Sequence, residues 1–422
     1  MKDIRIPTVE HGNKNDVIHI TPQTSGIVRF KATFPVSDIK DRMLAPLYAD
    51  LIQRGTASHS RKEFAAAVEA LGARLDVTSD RVGITIDGCA LAGTFPRLLD
   101  LVKEMLERPA FNKKEMDQVH KQYAQYLHDE ADNARTQAYL GFTQALFAKN
   151  HPYYRPSADT RRTFLRSVTR KSYLDFHKKL FAVHGIVSTS GTEAHRQSTA
   201  KLFSTFGKTK DTTLLAPASA APHATETTYR TVHDKANIEL YIGNVLPLTL
   251  SDSSFLPFNF GLQVLGKWGG FSGRLMSTVR EKEGLTYTIY ARTEGITKDR
   301  LGMWYIFTFF TPKDLDKGLA STKREIARIA QKGVTPKELT TFKELLKNQF
   351  ILAHESDAKT LALYHDALCA GMTPAEVAAQ YDAMQTLTQK EVNAALRQHL
   401  DPTRLVISGA GPINPNRKTL SK

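Results

Sequence analysis

The same order of helices and strands occurs twice along this chain. In the first half, two strands precede two helices, two further strands and a run of long helices, with the first six elements predicted at 17–20, 27–34, 44–54, 61–71, 74–78 and 82–89. In the second half, the corresponding elements are predicted at 229–233, 236–242, 255–265, 272–281, 286–294 and 303–311. A repeat of roughly 200 residues is far longer than a solenoid unit and indicates a duplicated domain.

This pattern predicts an α+β fold of two homologous domains. Strands that alternate apolar and polar residues bury one face, so each domain is expected to hold an antiparallel sheet with helices packed on one face. The segment 212–228 is rich in Ala, Pro and Thr and has the composition of an exposed linker. The predicted domains are therefore residues 1–211 and 229–422, joined by this linker.

Composition excludes several classes of protein. The net charge of +14 is spread along the chain and forms no basic reading element, so nucleic-acid binding is not predicted. No apolar run is long enough to span a bilayer. The two cysteines, Cys89 and Cys369, stand far apart, which argues against a disulfide framework and against a thiolate zinc site.

Two adjacent segments carry the most specific motif. The glycine-rich GKWGGFSG at 266–273, which contains Gly269 and Gly270, is followed by LMSTVREKEGLTY at 275–287. This motif and the duplicated element order resemble the pitrilysin/insulinase zinc metallopeptidases, in particular the branch of the mitochondrial processing peptidase. Members of that family carry an Arg and a Tyr seven positions apart after a glycine-rich loop, and Arg280 and Tyr287 match that pair.

Two shorter echoes extend the resemblance over most of the chain. Gly55-Thr56 is similar to the Gly-Thr that follows the family's metal-binding helix. The sequence Asn150-His151-Pro152-Tyr153 is similar to the family's His-Pro after a long helix.

The positions of the family's metal ligands have changed. Active members hold zinc with a His-x-x-Glu-His motif and a Glu further along the chain. In the alignment, Pro46, Ala49 and Asp50 stand at the His, Glu and His of that motif. Tyr126 aligns with the downstream Glu of the family. Glu130 lies four residues, or one helical turn, further on, so an alignment that places Glu130 at this ligand position stays open. Because zinc needs at least three N, S or O ligands, no metal site is predicted in this chain.

Several features have simpler structural explanations. The glycine-rich loop lacks the Lys-Ser/Thr pair of a phosphate-binding loop, so a flexible family loop is favoured. His120 and His128 share a helix face, and a solvated surface accounts for them. Arg280 and Tyr287 also admit a purely structural role, tying a helix end to a strand, although the intact motif around them favours substrate binding.

The resemblance implies a non-catalytic subunit, or half, of a zinc metallopeptidase. Arg280 and Tyr287 would bind the peptide substrate, and the zinc would belong to a homologous partner subunit or half, so no activity and no cofactor are expected in this chain alone. An inert scaffold or peptide-binding protein of the same fold is the alternative, and an active enzyme with an unrecognised metal site a third. No signal peptide is predicted, which leaves the compartment open: periplasmic if a bacterial signal peptide has been removed, otherwise cytoplasmic.

Overall fold

The computed structural model describes residues 6–12, 14–22, 26–206, 225–267 and 273–413. Its strands are β1 (Thr8–His11), β2 (Asn15–Ile20), β3 (Ile27–Pro35), β4 (Arg74–Ser79), β5 (Gly83–Leu91), β6 (Gly185–Ser190), β7 (Glu226–Thr231), β8 (Ile238–Leu246), β9 (Ile289–Glu294), β10 (Gly302–Phe310) and β11 (Val406–Gly411). Its first eight helices are α1 (Ile39–Ile52), α2 (Arg61–Glu69), α3 (Phe95–Glu107), α4 (Lys113–Ala131), α5 (Ala134–Leu146), α6 (Ala158–Ser167), α7 (Arg170–Leu180) and α8 (Glu193–Ser204). The others are α9 (Phe255–Gly266), a π-helix (Met276–Lys282), α10 (Leu315–Lys332), α11 (Pro336–Leu352), α12 (Asp357–Cys369), α13 (Pro374–Thr386) and α14 (Gln389–His399).

The chain forms two compact units, each built from three separate segments. The first unit takes the described residues of Met1–Gln125, Arg161–Ala216 and Gln349–Ala379, and the second takes those of the remaining ranges. The α+β class with two sheets is confirmed. The predicted linker lies mostly outside the described residues, and its last residues, from Glu226, already belong to β7.

The first unit contains a six-stranded sheet in the order β1-β2-β6-β3-β5-β4. Its pairings are antiparallel except for β2 with β6, which run parallel, so the expected antiparallel sheet includes one parallel pair. Phe30, Ala32 and Phe34 alternate along β3 and are fully buried in the main core, which also contains residues of α1, α3, α7 and α8. Because successive side chains of a strand point to opposite faces of the sheet, every second residue of β3 contacts these helices.

Helix α12 covers the opposite face of this sheet. Thr33 alternates with Phe34 on β3, and its hydroxyl lies 2.7 Å from Nε2 of His365 on α12. Ser188 of β6 lies 2.7 Å from Nδ1 of the same imidazole. Beyond the helices expected on one face, a helix encoded in the second half of the chain therefore packs on the second face.

The second unit contains a five-stranded sheet in the order β7-β11-β8-β10-β9. Here β7 and β11 form the parallel pair. Helix α5, from the first half of the chain, packs on β11 and β8, where Tyr139 and Phe142 enter a core with Tyr241 and Tyr305. Helices α9, α10 and α14 pack together in this unit, with α9 against β9. Both sheets thus carry helices from both halves of the sequence.

Helix α1 begins five residues earlier than predicted. Asp38 caps it by accepting hydrogen bonds from the backbone N–H groups of Lys40 and Asp41. Pro46 consequently lies inside the helix, whereas the predicted start at 44 would have placed it in the first turn. An interior proline costs a helix a few kcal/mol, and burial of the apolar face of α1 offsets that cost.

Two elements were not predicted, and one was misjudged in type. Strand β1 is mostly exposed and helix α6 is short and polar, so neither gives a strong apolar period. The helix expected at 272–281 is largely a π-helix. Both cysteines are free thiols, as expected. None of the described helices is both long and apolar enough to cross a bilayer.

Candidate functional site

The π-helix ends in a turn that brings Arg280 and Tyr287 together. The N–H of Glu283 donates to the carbonyl of Thr278 at 3.0 Å, the five-residue spacing of a π-turn. Gly284 then takes a positive φ of 62°, a conformation that favours glycine, and the chain reverses toward β9. Single π-turns occur frequently at functional sites.

Arg280 stacks on the ring of Tyr287. The guanidinium carbon lies 4.6 Å from the ring centroid, which is a cation–π contact. Arg280 is half-buried and its Nη1 donates to the sulfur of Met276 at 3.4 Å. Tyr287 is 69% exposed, which is unusual for an aromatic side chain. The predicted pair is thus in direct contact, with its tyrosine open to solvent.

The glycine-rich loop before this helix can be followed only at its two ends. Gly269 and Gly270 lie outside the described residues. Gly273 has a φ of 123°, and a side chain there would approach the backbone of Gly266 to within 3.1 Å. These two glycines therefore let the ends of the loop come close together.

The degenerate metal positions on α1 offer one donor group. Pro46 and Ala49 have side chains without any ligand atom, and Ala49 is buried. The Asp50 carboxylate receives hydrogen bonds from Arg54, two residues past the end of α1, through Nε and Nη2, each at 3.0 Å. Asp50 is thus already paired with a cation four residues further along the chain.

Arg54 sits at the centre of a polar network that was not predicted. Its side chain is only 7% exposed, and its remaining donors reach Glu115 at 3.4 Å and Gln122 at 2.6 Å on α4. The Asp50–Arg54 spacing of four residues is visible in the sequence and would have indicated an ion pair. The carboxylate of Asp50, at one of the three predicted motif positions, is therefore bound by a guanidinium.

The downstream candidates are likewise engaged with an arginine. Tyr126 is half exposed, and its hydroxyl accepts a hydrogen bond from Arg155 at 3.1 Å. Glu130, the alternative ligand, is buried and accepts from Nη2 of the same arginine at 2.8 Å. Both carboxylates near the expected ligand positions, Asp50 and Glu130, are therefore neutralised by arginines.

These residues do not fit zinc. Two of the three positions on α1 have no ligand atom, and the third carries a carboxylate whose oxygens both accept from a cation. Among the described residues, no group of three His, Cys, Asp or Glu side chains is arranged to hold a metal ion. No step of a mechanism is therefore assigned to a metal in this chain.

The remaining family echoes have structural roles. Gly55 has a φ of 109°, and the hydroxyl of Thr56 donates to Glu104. His151 is fully buried with its ring stacked 4.1 Å from that of Phe147. These contacts order a turn after α1 and a turn after α5.

The two helical histidines differ in surroundings. Nε2 of His120 lies 2.9 Å from the hydroxyl of Tyr173, and burial lowers the pKa of His120. His128 is exposed, which fits the solvated surface expected for it. A solvated surface therefore does not account for His120.

Two family models match the chain over separate ranges. The model described as "Insulinase (Peptidase family M16)" matches residues 44–161, and that described as "Peptidase M16 inactive domain" matches residues 167–346. A non-peptidase homolog, YmxG of Helicobacter pylori, is 22% identical over 409 residues, covering 94% of this chain and 90% of that protein. An uncharacterized zinc protease of Streptomyces coelicolor, SCO5738, is 23% identical and covers 86% of this chain and 79% of that protein.

Solved structures with low sequence identity share the fold. A crystal structure of a peptidase M16 inactive domain from Pseudomonas fluorescens has a TM-score of 0.85 at 20% identity, covering 98% of this chain and 100% of that one. The periplasmic protease PqqL of Escherichia coli has a TM-score of 0.75 at 14% identity, with 97% of this chain matching 47% of that one. Taken with the matched family models and the altered ligand positions, these likenesses lead to one assignment: the chain belongs to the pitrilysin/insulinase family, peptidase family M16, as an inactive member without the zinc motif.

Proposed function

We propose that this protein is the non-catalytic subunit, or half, of a pitrilysin-type zinc metallopeptidase, and that Arg280 and Tyr287 bind the peptide substrate. The observation that carries this proposal is the contact between the two side chains, with Tyr287 largely exposed. A purely structural pair would bury the ring, because an exposed aromatic ring gains little from packing.

The chemistry of the pair suits a peptide carbonyl near a hydrolytic centre. A guanidinium and a phenol both donate hydrogen bonds, and both can face the oxygen that becomes negative in the tetrahedral intermediate. Stacking fixes the guanidinium plane against the ring, so that the donors are oriented before substrate arrives. These two residues therefore fit a role in stabilising the transition state.

The zinc and its activated water would come from a partner that keeps His-x-x-Glu-His. The ion pair of Arg54 with Asp50 supports a zinc site in the partner and not in this chain, because the positive charge of Arg54 repels a metal cation. The relative PqqL supports a two-half arrangement, since this chain matches 47% of it. The partner is thus a homologous subunit or the other half of a longer polypeptide.

Reconstitution tests the proposal. The chain is mixed with a homologous subunit that carries His-x-x-Glu-His, and cleavage of a quenched fluorescent peptide is measured for each component and for the mixture. We expect peptide cleavage by the mixture to exceed that of either component, and we expect Arg280→Ala to lower turnover while sedimentation still shows the complex.

A matched control separates chemistry from charge. Arg328→Ala removes an exposed arginine of the same unit that lies 3.8 Å from Glu325. It should leave turnover unchanged. If the mixture forms and cleaves peptide equally well with Arg280→Ala and Tyr287→Phe combined, the pair has no role in the reaction, and the inert scaffold becomes the better description.

A further inference from the structure

Arg274 lies two residues before the start of the π-helix and is fixed by a two-point ion pair. Its Nε and Nη2 donate to the two carboxylate oxygens of Glu338, each at 2.7 Å, and Nη2 also donates to the carbonyl of Gly333 at 2.7 Å. The two side chains are 13% and 25% exposed. A bidentate pair at this degree of burial fixes direction as well as distance.

Glu338 is itself held in place by the start of α11. Its Oε2 accepts from the N–H of Thr335 at 2.8 Å and from the Thr335 hydroxyl at 2.9 Å, so it caps this helix. Burial alone would raise the pKa of Glu338, but hydrogen bonds from Arg274 and Thr335 lower it below its ordinary value. The carboxylate therefore stays ionised and anchored near neutral pH.

The far end of the π-helix is also attached to a helix of the same unit. Glu283, which follows the last π-turn, forms an ion pair with Arg324 of α10. That pair is more exposed, with Arg324 at 54%. The stronger restraint on the helix bearing Arg280 is consequently the pair at its beginning.

The geometry points to Arg274 and Glu338 as positioning residues that set the direction of the π-helix and so hold the Arg280 guanidinium over the Tyr287 ring. Neither residue is assigned any contact with substrate. Their consequence for turnover rests on the proposed function, whereas their consequence for the Arg280–Tyr287 contact does not.

The test uses Glu338→Gln with Glu391→Gln as a matched control. Both residues occupy the same position of a helix capped by threonine, since Glu391 accepts from the N–H and hydroxyl of Thr388 at 2.7 and 2.6 Å. Glutamine keeps the capping hydrogen bonds in both helices. Only Glu338→Gln removes the charge that pairs with Arg274.

The first measurement is fluorine NMR of the full chain labelled with 3-fluorotyrosine, with the Tyr287 signal assigned from Tyr287→Phe. We expect Arg280→Ala to shift this signal, Glu338→Gln to shift it in the same direction, and Glu391→Gln to leave it in place. An unmoved signal in Glu338→Gln, while Arg280→Ala shifts it, would overturn the positioning role.

The second measurement is cleavage by the reconstituted pair. Glu338→Gln should lower kcat on the order of 10-fold with KM unchanged, because donors that are misdirected lose stabilisation in the transition state more than in the ground state. A shifted signal with unchanged kcat would retain the positioning pair and count against the proposed function. Equal losses of kcat in Glu338→Gln and Glu391→Gln would mean that Glu338 acts only as a helix cap, which would contradict the inference.

Discussion

The carboxylate of Asp50 and the guanidinium of Arg54, which lies two residues after the end of α1, form a two-point ion pair with both N–O distances at 3.0 Å. Asp50 is one of the three positions that the sequence predicts to correspond to the family's zinc motif. Arg54 extends the pair to Glu115 and Gln122, so its cation is shared among three acceptors. The carboxylate at the predicted metal positions is thus bound by a protein cation.

The purified chain should bind no stoichiometric zinc. Pro46 and Ala49 supply no ligand atom, and Arg54 already binds the carboxylate of Asp50. Metal analysis after dialysis against trace zinc checks this, with a family member that keeps His-x-x-Glu-His as the positive control. Stoichiometric zinc that disappears in Asp50→Ala would contradict the prediction.

Arg54→Met should destabilise the first unit by about 2 kcal/mol, because it leaves the largely buried Glu115 without that cation. Urea unfolding followed by circular dichroism measures the change. Arg74→Met is the control, since its pair with Asp76 is exposed, and it should leave stability essentially unchanged. Equal changes in the free energy of unfolding for the two substitutions would mean that the Arg54 network contributes no more stability than an exposed ion pair.

Acid should destabilise the first unit through His365. Burial against Thr33 and Ser188 lowers the pKa of His365 to about 3, while the unfolded chain has the ordinary value of about 6.5. Below that value the unfolded state takes up a proton that the folded state excludes. Stability is therefore complete above about pH 6.5 and falls by up to about 1.4 kcal/mol per pH unit toward pH 3.

The measurement compares unfolding free energies between pH 7 and pH 4 for the wild type and His365→Gln. The variant should show a shallower slope, although not a flat one, because burial also lowers the pKa of His177 to about 4. An unchanged slope in His365→Gln would show that this imidazole takes up its proton equally readily in the folded and the unfolded state.

Much of the local structure can be predicted from apolar period and capping residues. The predicted starts of β3, α2 and β4, at 27, 61 and 74, coincide with the observed ones, and their ends differ by one or two residues. Helix α1 instead begins five residues before its predicted start, because Asp38 caps it. Local signals therefore fix element type well and element ends less well.

The partner that each helix packs against could not be predicted in the same way. His365 stands in the second half of the sequence, yet it bonds to Thr33 and Ser188 of the first sheet. The spacing of apolar residues in α5 and α12 does not indicate which sheet each helix packs against, because the packing partner depends on contacts between residues far apart in sequence. The Arg274–Glu338 pair was missed for the same reason, as its members are separated by 64 positions.

Limited proteolysis should cut first within residues 212–225, where Ala, Pro and Thr predominate before β7 begins. We expect two fragments of roughly 200 residues that stay together on size exclusion, because α12 in the second fragment packs on the sheet of the first. Separation should require denaturant. A first cut within α4, with this segment left intact, would contradict the predicted domain boundary.

A double-mutant cycle on Arg280 and Tyr287 would decide whether the two residues act as a unit in the reconstituted peptidase. Tyr287→Phe keeps the ring under the guanidinium and removes only the hydroxyl, whereas Tyr287→Ala removes both the donor and the stacking surface. If each donor acts in the transition state, Arg280→Ala and Tyr287→Phe should each lower kcat on the order of 10²-fold. Tyr287→Ala should lower kcat further, because Arg280 then loses the surface that orients it.

Arg280→Ala combined with Tyr287→Ala should lower kcat little more than Tyr287→Ala alone, since a guanidinium that is no longer oriented contributes little. Strictly additive losses would show that the two donors act independently, and a rise in KM at constant kcat would make the pair a clamp that binds substrate and transition state equally.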